Sequence, residues 1–547
     1  MAWQGWSAMI PSLLNKIVDD QLKPHPTKRE KRAQPKTKDK EGRPRKQADI
    51  LIDIGRGHDL FHDNARNAYA RVGNAVYLTE STAYREVLAE SFLNLTGKGC
   101  NRNALGDAIT TLSSVGKFQG DCRAVWLRVG GGAERIIIDT GRADHSLIEI
   151  TSNGWQPLVS NRPMFRRVGA MQALPEPAEP DFSRFWNYVT VTEDHRPLLA
   201  GFMLAALCPT GPYPALHLSG EQGTGKSTAC RVIRRLTDPS ASPLRSPPKE
   251  LRDLLVGALN GWVLAIDNLS GLNPQLSDAL CRLATGGAIS ERALYTNTDE
   301  ILIEVQRPVI LNGIEDLATR PDLAERGLHI ELEPINNRRT ESEFWTAFDR
   351  DAPHIFGALL KGLSMAIRNH KDIQLGRLPR MADFAKWAAA GMGPLGFTAE
   401  QFIDSYRANL SDSQTASVDS SVVGEAINLL MLNRDSWAGT ASELMTALSL
   451  VADDAMRRNP AWPKSTRWMT GSITRLAPAL RSRGLNVERT RTGDARVITL
   501  CWSRKLASLP SLASLVALPG DAGDANDAKN RAQHNAAGID LESGEQF

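Results

Sequence analysis

Paired cysteines are the plainest absence in this 547-residue sequence: Cys100, Cys122, Cys208, Cys230, Cys281 and Cys501 are scattered, with no CxxC pair among them. A disulfide scaffold or a zinc finger is therefore not expected, and a reducing cytoplasm suits the thiols better. Long apolar runs are missing too. A membrane helix needs roughly 18 consecutive apolar residues, whereas the longest candidate, Pro197–Cys208, has twelve and reads as a buried helix. No charged n-region with an apolar core and a small-residue cleavage site opens the chain, so no secretory signal is expected. Neither sign of charge dominates: 65 Lys and Arg stand against 62 Asp and Glu, a net +3. What is present, 42% apolar and 23% charged residues, can build packed cores over most of the chain. At about 150 residues per domain, the length suggests roughly three or four domains.

The small net charge hides an uneven distribution. Residues 23–46 hold eleven Lys and Arg against three acids, with prolines and no large apolar side chain. Such a segment cannot offset its ordering entropy by burial, so residues 23–48 read as a disordered basic linker, either a tether to phosphate backbone or a solubilising spacer. Before it, Trp3, Trp6, Met9, Leu13 and Ile17 recur at helical spacing, an amphipathic helix over residues 1–22. That helix could dock on a partner protein or a neighbouring subunit, or pack on its own chain. Residues 49–173 read as a mixed α+β domain, bounded by the proline-rich 175–180. Within it His58 and His62 stand at i, i+4, but Asp59 follows where a zinc-protease helix needs Glu, and no third ligand is evident. Residues 181–340 alternate helix and apolar-strand patterns, as a parallel α/β domain does. A helical extension (341–412) and a small domain (418–503) follow. Residues 507–547 carry six acids against Lys529 and Arg531 and read as a disordered acidic tail.

The chemistry concentrates in the α/β region. Tyr213–Leu218 reads as a strand running into Gly220-Glu221-Gln222-Gly223-Thr224-Gly225-Lys226-Ser227-Thr228, and a helical pattern follows. This is GxxxxGK[ST] in strand–loop–helix context, where Gly220, Gly223, Thr224, Gly225, Lys226, Ser227 and Thr228 would wrap the phosphates of ATP. Lys226 would reach the β- and γ-phosphates and Ser227 would bind Mg²⁺. Trp262–Ile266 is a second buried-strand run, ending at Asp267-Asn268. Asp267 is placed to hold Mg²⁺ in the Walker B manner, while Asn268 stands where a second acid would polarise water, which leaves the general base unassigned. A third run, Arg307–Leu311, ends at Asn312, beside the expected γ-phosphate. Arg326 lies just before a fourth and could act as an arginine finger on a neighbouring subunit.

In this order the motifs resemble the AAA+ core of superfamily 3-type helicases, and most closely the primase–helicase-like ATPases of bacteriophages, satellite phages and integrated elements. The segments that carry the likeness are GPYPALHLSGEQGTGKST, NGWVLAIDNLSGLNPQLSDALCRLATGG, RPVILNGIEDLATRPDLAERGLHIEL and LPRMADFAKWA. The likeness spans residues 50–505 and is most specific over 211–335. It implies Walker A at Lys226 and Ser227, Walker B at Asp267 and Asn268, sensor 1 at Asn312 and the finger at Arg326. It also implies a hexameric ring with active sites between subunits, working in a bacterial or phage-infected cell. Such helicases carry a hairpin that grips single-stranded DNA through a tip Lys. The corresponding 288–304 has an acidic tip without Lys, which either argues against a DNA-translocating role or moves the expected contact to Arg292 and Tyr295.

The small C-terminal domain reads as a winged helix-turn-helix: a helical pattern over 465–483, then a hairpin over 487–500. From 464 to 500 it holds eight Lys and Arg against two acids. Arg475, Arg489 and Arg491 are its candidate DNA contacts, on an origin duplex for example; a protein–protein winged helix is the competing reading. The fold class expected is thus an α/β AAA+ P-loop core with a mixed N-terminal domain, a helical extension and a winged helix. Two functions fit: an ATP-driven DNA helicase or replication initiator, or a DNA-bound ATPase switch or remodeller that does not unwind. Primase activity is not expected, because 49–173 offers no convincing acid pair with metal ligands nearby.

Overall fold

The computed structural model of the chain describes residues 43–158, 164–269, 273–292, 300–313, 325–335, 337–376, 379–419, 421–492 and 495–503, with Thr37 and Leu323. The expected N-terminal helix, the linker up to residue 42 apart from Thr37, Tyr295 with most of the hairpin tip, and the tail at 507–547 lie outside the described residues. No helix among the described residues is long and apolar enough to cross a membrane.

The N-terminal part opens with α1 (Gln47–Arg56), which takes the last residues of the expected linker into its first turn. Ile50 and Leu51 explain this, because both bury against Tyr84, Leu88 and Leu112. Strands β1 (Asp59–His62), β2 (Ala68–Val72) and β3 (Ala75–Leu78) form an antiparallel sheet, followed by α2 (Thr82–Thr96) and α3 (Arg102–Gln119). His58 and His62 do not share a helix: His58 lies in the turn before β1 and bonds the Tyr84 hydroxyl at 2.9 Å, while His62 closes β1 and bonds the Asp63 carbonyl at 2.8 Å. A second antiparallel sheet holds β4 (Val129–Gly132), β5 (Arg135–Asp139), β6 (Leu147–Thr151) and β7 (Gly154–Pro157). Ile136, Ile138, Ile148 and Ile150 alternate toward a core that also contains Phe185, Phe202, Phe356 and Leu359. The apolar core therefore continues across the proline-rich 175–180.

Helix α4 (Arg196–Ala206) is buried on all sides, as its unbroken apolar sequence requires. Next come β8 (Ala215–Ser219), α5 (Lys226–Thr237), α6 (Leu251–Leu259), β9 (Leu264–Leu269) and α7 (Pro274–Thr285). The hairpin β10 (Ala288–Arg292) and β11 (Glu300–Glu304) leads to β12 (Val309–Gly313) and β13 (Gly327–Glu331). Strands β13, β8, β12 and β9 lie side by side in that order, all parallel. Val309 pairs with both Ala215 and Leu264, and Gly327 pairs with Ala215, so all four strands begin at one edge and end at the other. Both faces are covered, as a parallel sheet demands. Leu216, Leu218, Ala265, Ile310 and Leu328 face the large core with α4 and α5, while Leu264, Ile266, Val309 and Leu311 face α6 and α7.

The helical region follows as α8 (Glu341–Asn369), α9 (Ala382–Gly391) and α10 (Ala399–Asp419). Thr340 and Glu343 close a capping box at the start of α8. Asn409 of α10 clasps the edge of β13, accepting from His329 N at 3.0 Å and donating to His329 O at 2.6 Å. The C-terminal module comprises α11 (Val422–Met431), β14 (Ser436–Thr440), α12 (Ala441–Val451), α13 (Asp454–Arg458), α14 (Thr466–Ser482), β15 (Leu485–Thr492) and β16 (Ala495–Trp502). Its sheet runs β14-β16-β15, antiparallel, over a core of its own. Val418 belongs to that core, so α10 is shared between the helical region and the module. Arg483 strengthens the joint by donating to the Thr415 carbonyl at 2.6 Å and pairing with Asp419.

Candidate nucleotide site

Strand β8 ends at Ser219, and the chain then turns through three glycines of positive φ: Gly220 (139°), Gly223 (88°) and Gly225 (79°). These backbone angles are open to glycine and costly for other residues. They wind the loop so that α5 starts at once, with its unpaired N–H groups at the loop's mouth. Thr224, buried beneath the loop, donates its hydroxyl to the Glu221 carbonyl at 3.0 Å. Lys226 folds back over the loop, its Nζ donating to Gly220 O at 2.7 Å and Glu221 O at 2.8 Å. Its charge thus rests on neutral carbonyls, a partnership a phosphate would readily displace.

The neighbouring strands complete the site. Ser227 Oγ donates to Asp267 Oδ1 at 2.9 Å, which joins the first turn of α5 to the end of β9. Asn268 takes φ +60°, unusual for a residue other than glycine. Here the pairing of β9 with β12 slips between Leu311 and Gly313. The slip frees the Asn268 N–H from the sheet, and it donates to Asn312 Oδ1 at 2.9 Å. Asn312 Nδ2 in turn approaches Cys230 Sγ at 3.5 Å. Burial pushes the Cys230 thiol up to about 12, so it stays neutral beside the amide. Gln222, Gly223, Gly225, Lys226, Ser227, Thr228, Asp267, Asn268, Asn312 and Gly313 line a cavity of about 460 Å³.

The structure thus gathers Lys226, Ser227, Thr228, Asp267, Asn268 and Asn312 at the carboxyl edge of the sheet. It does not bring Arg326 to them. That residue precedes β13, where its carbonyl accepts from Ala215 N at 3.0 Å, at the opposite edge. At about 3.3 Å rise per residue, the strand length puts roughly 13 Å between the two edges. The side chain of Arg292 and all of Tyr295 lie outside the described residues. In the C-terminal module, Arg475 on α14 and Arg489 and Arg491 on β15 are all exposed. Arg489 Nη1 donates to Thr474 Oγ1 of α14 at 2.8 Å, and Arg491 shares its face of the strand. Sequence reasoning did not find Cys230, or Leu332, Ile335 and Arg338, which lie against the glycines of the loop. None carries a motif or a period by which it could have been found.

The fold and site define a mixed α/β protein with a parallel-sheet core, a glycine-rich loop ahead of its helix, and a polar cavity at the carboxyl edge. Residues 182–416 match the family model of the actinomycete integrative conjugative element replication protein, and residues 423–511 match that of the AICE RepA C-terminal domain. Over those residues the chain is similar to replication proteins of mobile elements. No curated protein matches it. Among solved structures it is similar to the apo A form of the NrS-1 C-terminal region, at 10% identity and TM-score 0.36, over 83% of this chain and 99% of that one. A full-length MCM homolog from Methanopyrus kandleri aligns at 12% identity and TM-score 0.28, over 61% of this chain and 90% of that one. At TM-scores below 0.5 these likenesses contribute nothing to the assignment.

Proposed function

We propose that the protein is an ATP-dependent DNA helicase or replication initiator of a mobile genetic element, hydrolysing ATP between the subunits of a ring. The observation that carries this reading is the convergence of Lys226, Ser227, Asp267 and Asn312 on one cavity beside a glycine loop and a helix N-terminus. Lys226 would leave the Gly220 and Glu221 carbonyls for the β- and γ-phosphates, and the loop N–H groups would close on them. Ser227 and Asp267, already in contact, offer two oxygen ligands of the kind Mg²⁺ takes; the ion would neutralise charge developing on the phosphates. Asn312, held by Asn268 N–H and Cys230, would present its amide toward the γ-phosphate and the attacking water. Arg326, remote from its own cavity, suits service to a neighbour's. The basic face of α14 and β15, read as a winged helix, would hold duplex DNA, and the β10–β11 hairpin would face single-stranded DNA.

One observation favours a second reading, an ATPase switch on DNA without unwinding. Among the described residues lining the cavity, Asp267 is the only carboxylate, and Asn268 occupies the place of a second acid. Strand displacement on a forked duplex with ATP, run beside Lys226→Ala, separates the two. Displacement by the wild type and none by Lys226→Ala supports the helicase. DNA-stimulated hydrolysis without displacement removes the helicase and leaves the switch.

A further inference from the structure

All three glycines of the loop face residues just after β13: Leu332, Ile335 and Arg338. A methyl group built on Gly220 would lie 2.8 Å from Leu332 O, one on Gly225 would lie 2.9 Å from Ile335 Cδ1, and one on Gly223 would lie 3.3 Å from Arg338 Nη2. The segment is fixed where it starts. Leu332 N donates to Ser219 O at 2.9 Å and Glu333 N donates to Thr190 O at 3.1 Å, while Val191 bridges Leu332. It ends at Thr340, the N-cap of α8. Arg338 is exposed, and among the described residues it has no hydrogen bond or ion pair. Its neighbour Arg339 is turned elsewhere, within the electrostatic reach of Tyr188 and Glu343. One guanidinium is therefore left at the rim of the cavity beside Gly223, one of its lining residues.

We propose that Arg338 is a second cation of the polyphosphate subsite, supplied by the same chain as Lys226. This rests on the nucleotide reading given above. A nucleoside triphosphate carries about four negative charges at neutral pH, Asp267 adds one and a bound Mg²⁺ offsets about two, so Lys226 and an arginine from a neighbour still leave the site about one positive charge short. A guanidinium with five donors can close it and can grip phosphate oxygens in pairs. Ile335, a partly exposed apolar side chain over Gly225, extends the same rim beyond the phosphates. Because Arg338 sits two residues before the cap of α8, its engagement also ties phosphate occupancy to the start of the helical region.

Equilibrium titration of the full chain with fluorescent analogues of ATP, ADP and AMP tests this in the wild type, Arg338→Ala, Arg338→Lys and Lys226→Ala. Arg338→Ala should weaken ATP and ADP by about tenfold or more, with AMP nearly unchanged and partial recovery in Arg338→Lys. The exposed side chain predicts an unchanged thermal midpoint for Arg338→Ala. Wild-type ATP affinity in Arg338→Ala, alongside loss in Lys226→Ala, overturns the proposal and leaves the nucleotide site standing. An equal loss for all three nucleotides also overturns it, since a purely structural role would not follow phosphate number. A wild type that binds no ATP removes the nucleotide reading, and this proposal with it.

Discussion

Asn312 shows how much of the candidate site depends on a single backbone irregularity. The slip between β9 and β12 sets the Asn268 N–H free, and that N–H, with Cys230, holds both ends of the Asn312 amide. A side chain held this way is poised before any ligand arrives. Asn312→Ala should leave ATP binding intact while hydrolysis falls roughly a hundredfold to a thousandfold, read by nucleotide titration beside steady-state phosphate release. Wild-type hydrolysis in that variant would remove Asn312 from the machinery. Lys226, Ser227 and Asp267 were legible in the sequence because a contiguous loop and a strand-end acid encode them locally. The bond from Asn268 to Asn312 was not, because a register slip between distant strands leaves no mark on composition or period. Arg338 was hidden for a related reason: it meets Gly223 only once β13 has paired beside β8 and carried the chain back over the loop.

The strands of the parallel sheet explain why the elements themselves could be read. Strands β9 and β12 are short apolar runs, and β8 and β13 are broken only by the paired His217 and His329; each ends in polar residues at the carboxyl edge. The β4–β7 sheet was harder to place, since its alternating isoleucines predict strands but do not say which core they enter. In the C-terminal module, the contact between Arg489 and Thr474 ties β15 to α14, one residue from Arg475. If that face meets DNA, its arginines contact phosphate, and each release of counterions should show in the salt dependence. Arg489→Ala and Arg491→Ala should each reduce the slope of log affinity against log salt by about one, measured on a duplex by fluorescence anisotropy. An unchanged slope in both would assign the surface to a protein partner instead.

At the scale of the whole molecule, the position of Arg326 demands a second subunit if it is to act at a phosphate. It lies at the edge of the sheet away from the cavity of its own chain. Arg326→Ala should bind nucleotide and fail to hydrolyse it, and Lys226→Ala should fail at the first step. Mixing the two should restore part of the ATPase activity through interfaces that pair an intact loop with an intact arginine. Activity that never returns at any ratio would refute a shared site.

Arg128, fully buried at the start of the second sheet, has a longer reach than its place suggests. Its Nε donates to Asp238 Oδ1 at 3.1 Å, while Asp238 Oδ2 accepts from Arg234 at 3.0 Å and from the amides of Trp262 and Val263. Burial pushes the Asp238 carboxyl upward, but Arg128, Arg234 and the Val263 amide hold it below its ordinary value. Removing one partner of such a buried pair costs about 3–5 kcal/mol, so Arg128→Ala should markedly lower the thermal midpoint seen by calorimetry. The consequence concerns where the protein can be cut. A fragment beginning at residue 182, where the family match starts, would leave Asp238 without Arg128 and bare the apolar surface that β5 and β6 now cover. A piece that begins ahead of Arg128 keeps both, and should melt at a higher temperature than one cut at residue 182, as calorimetry of the two would read.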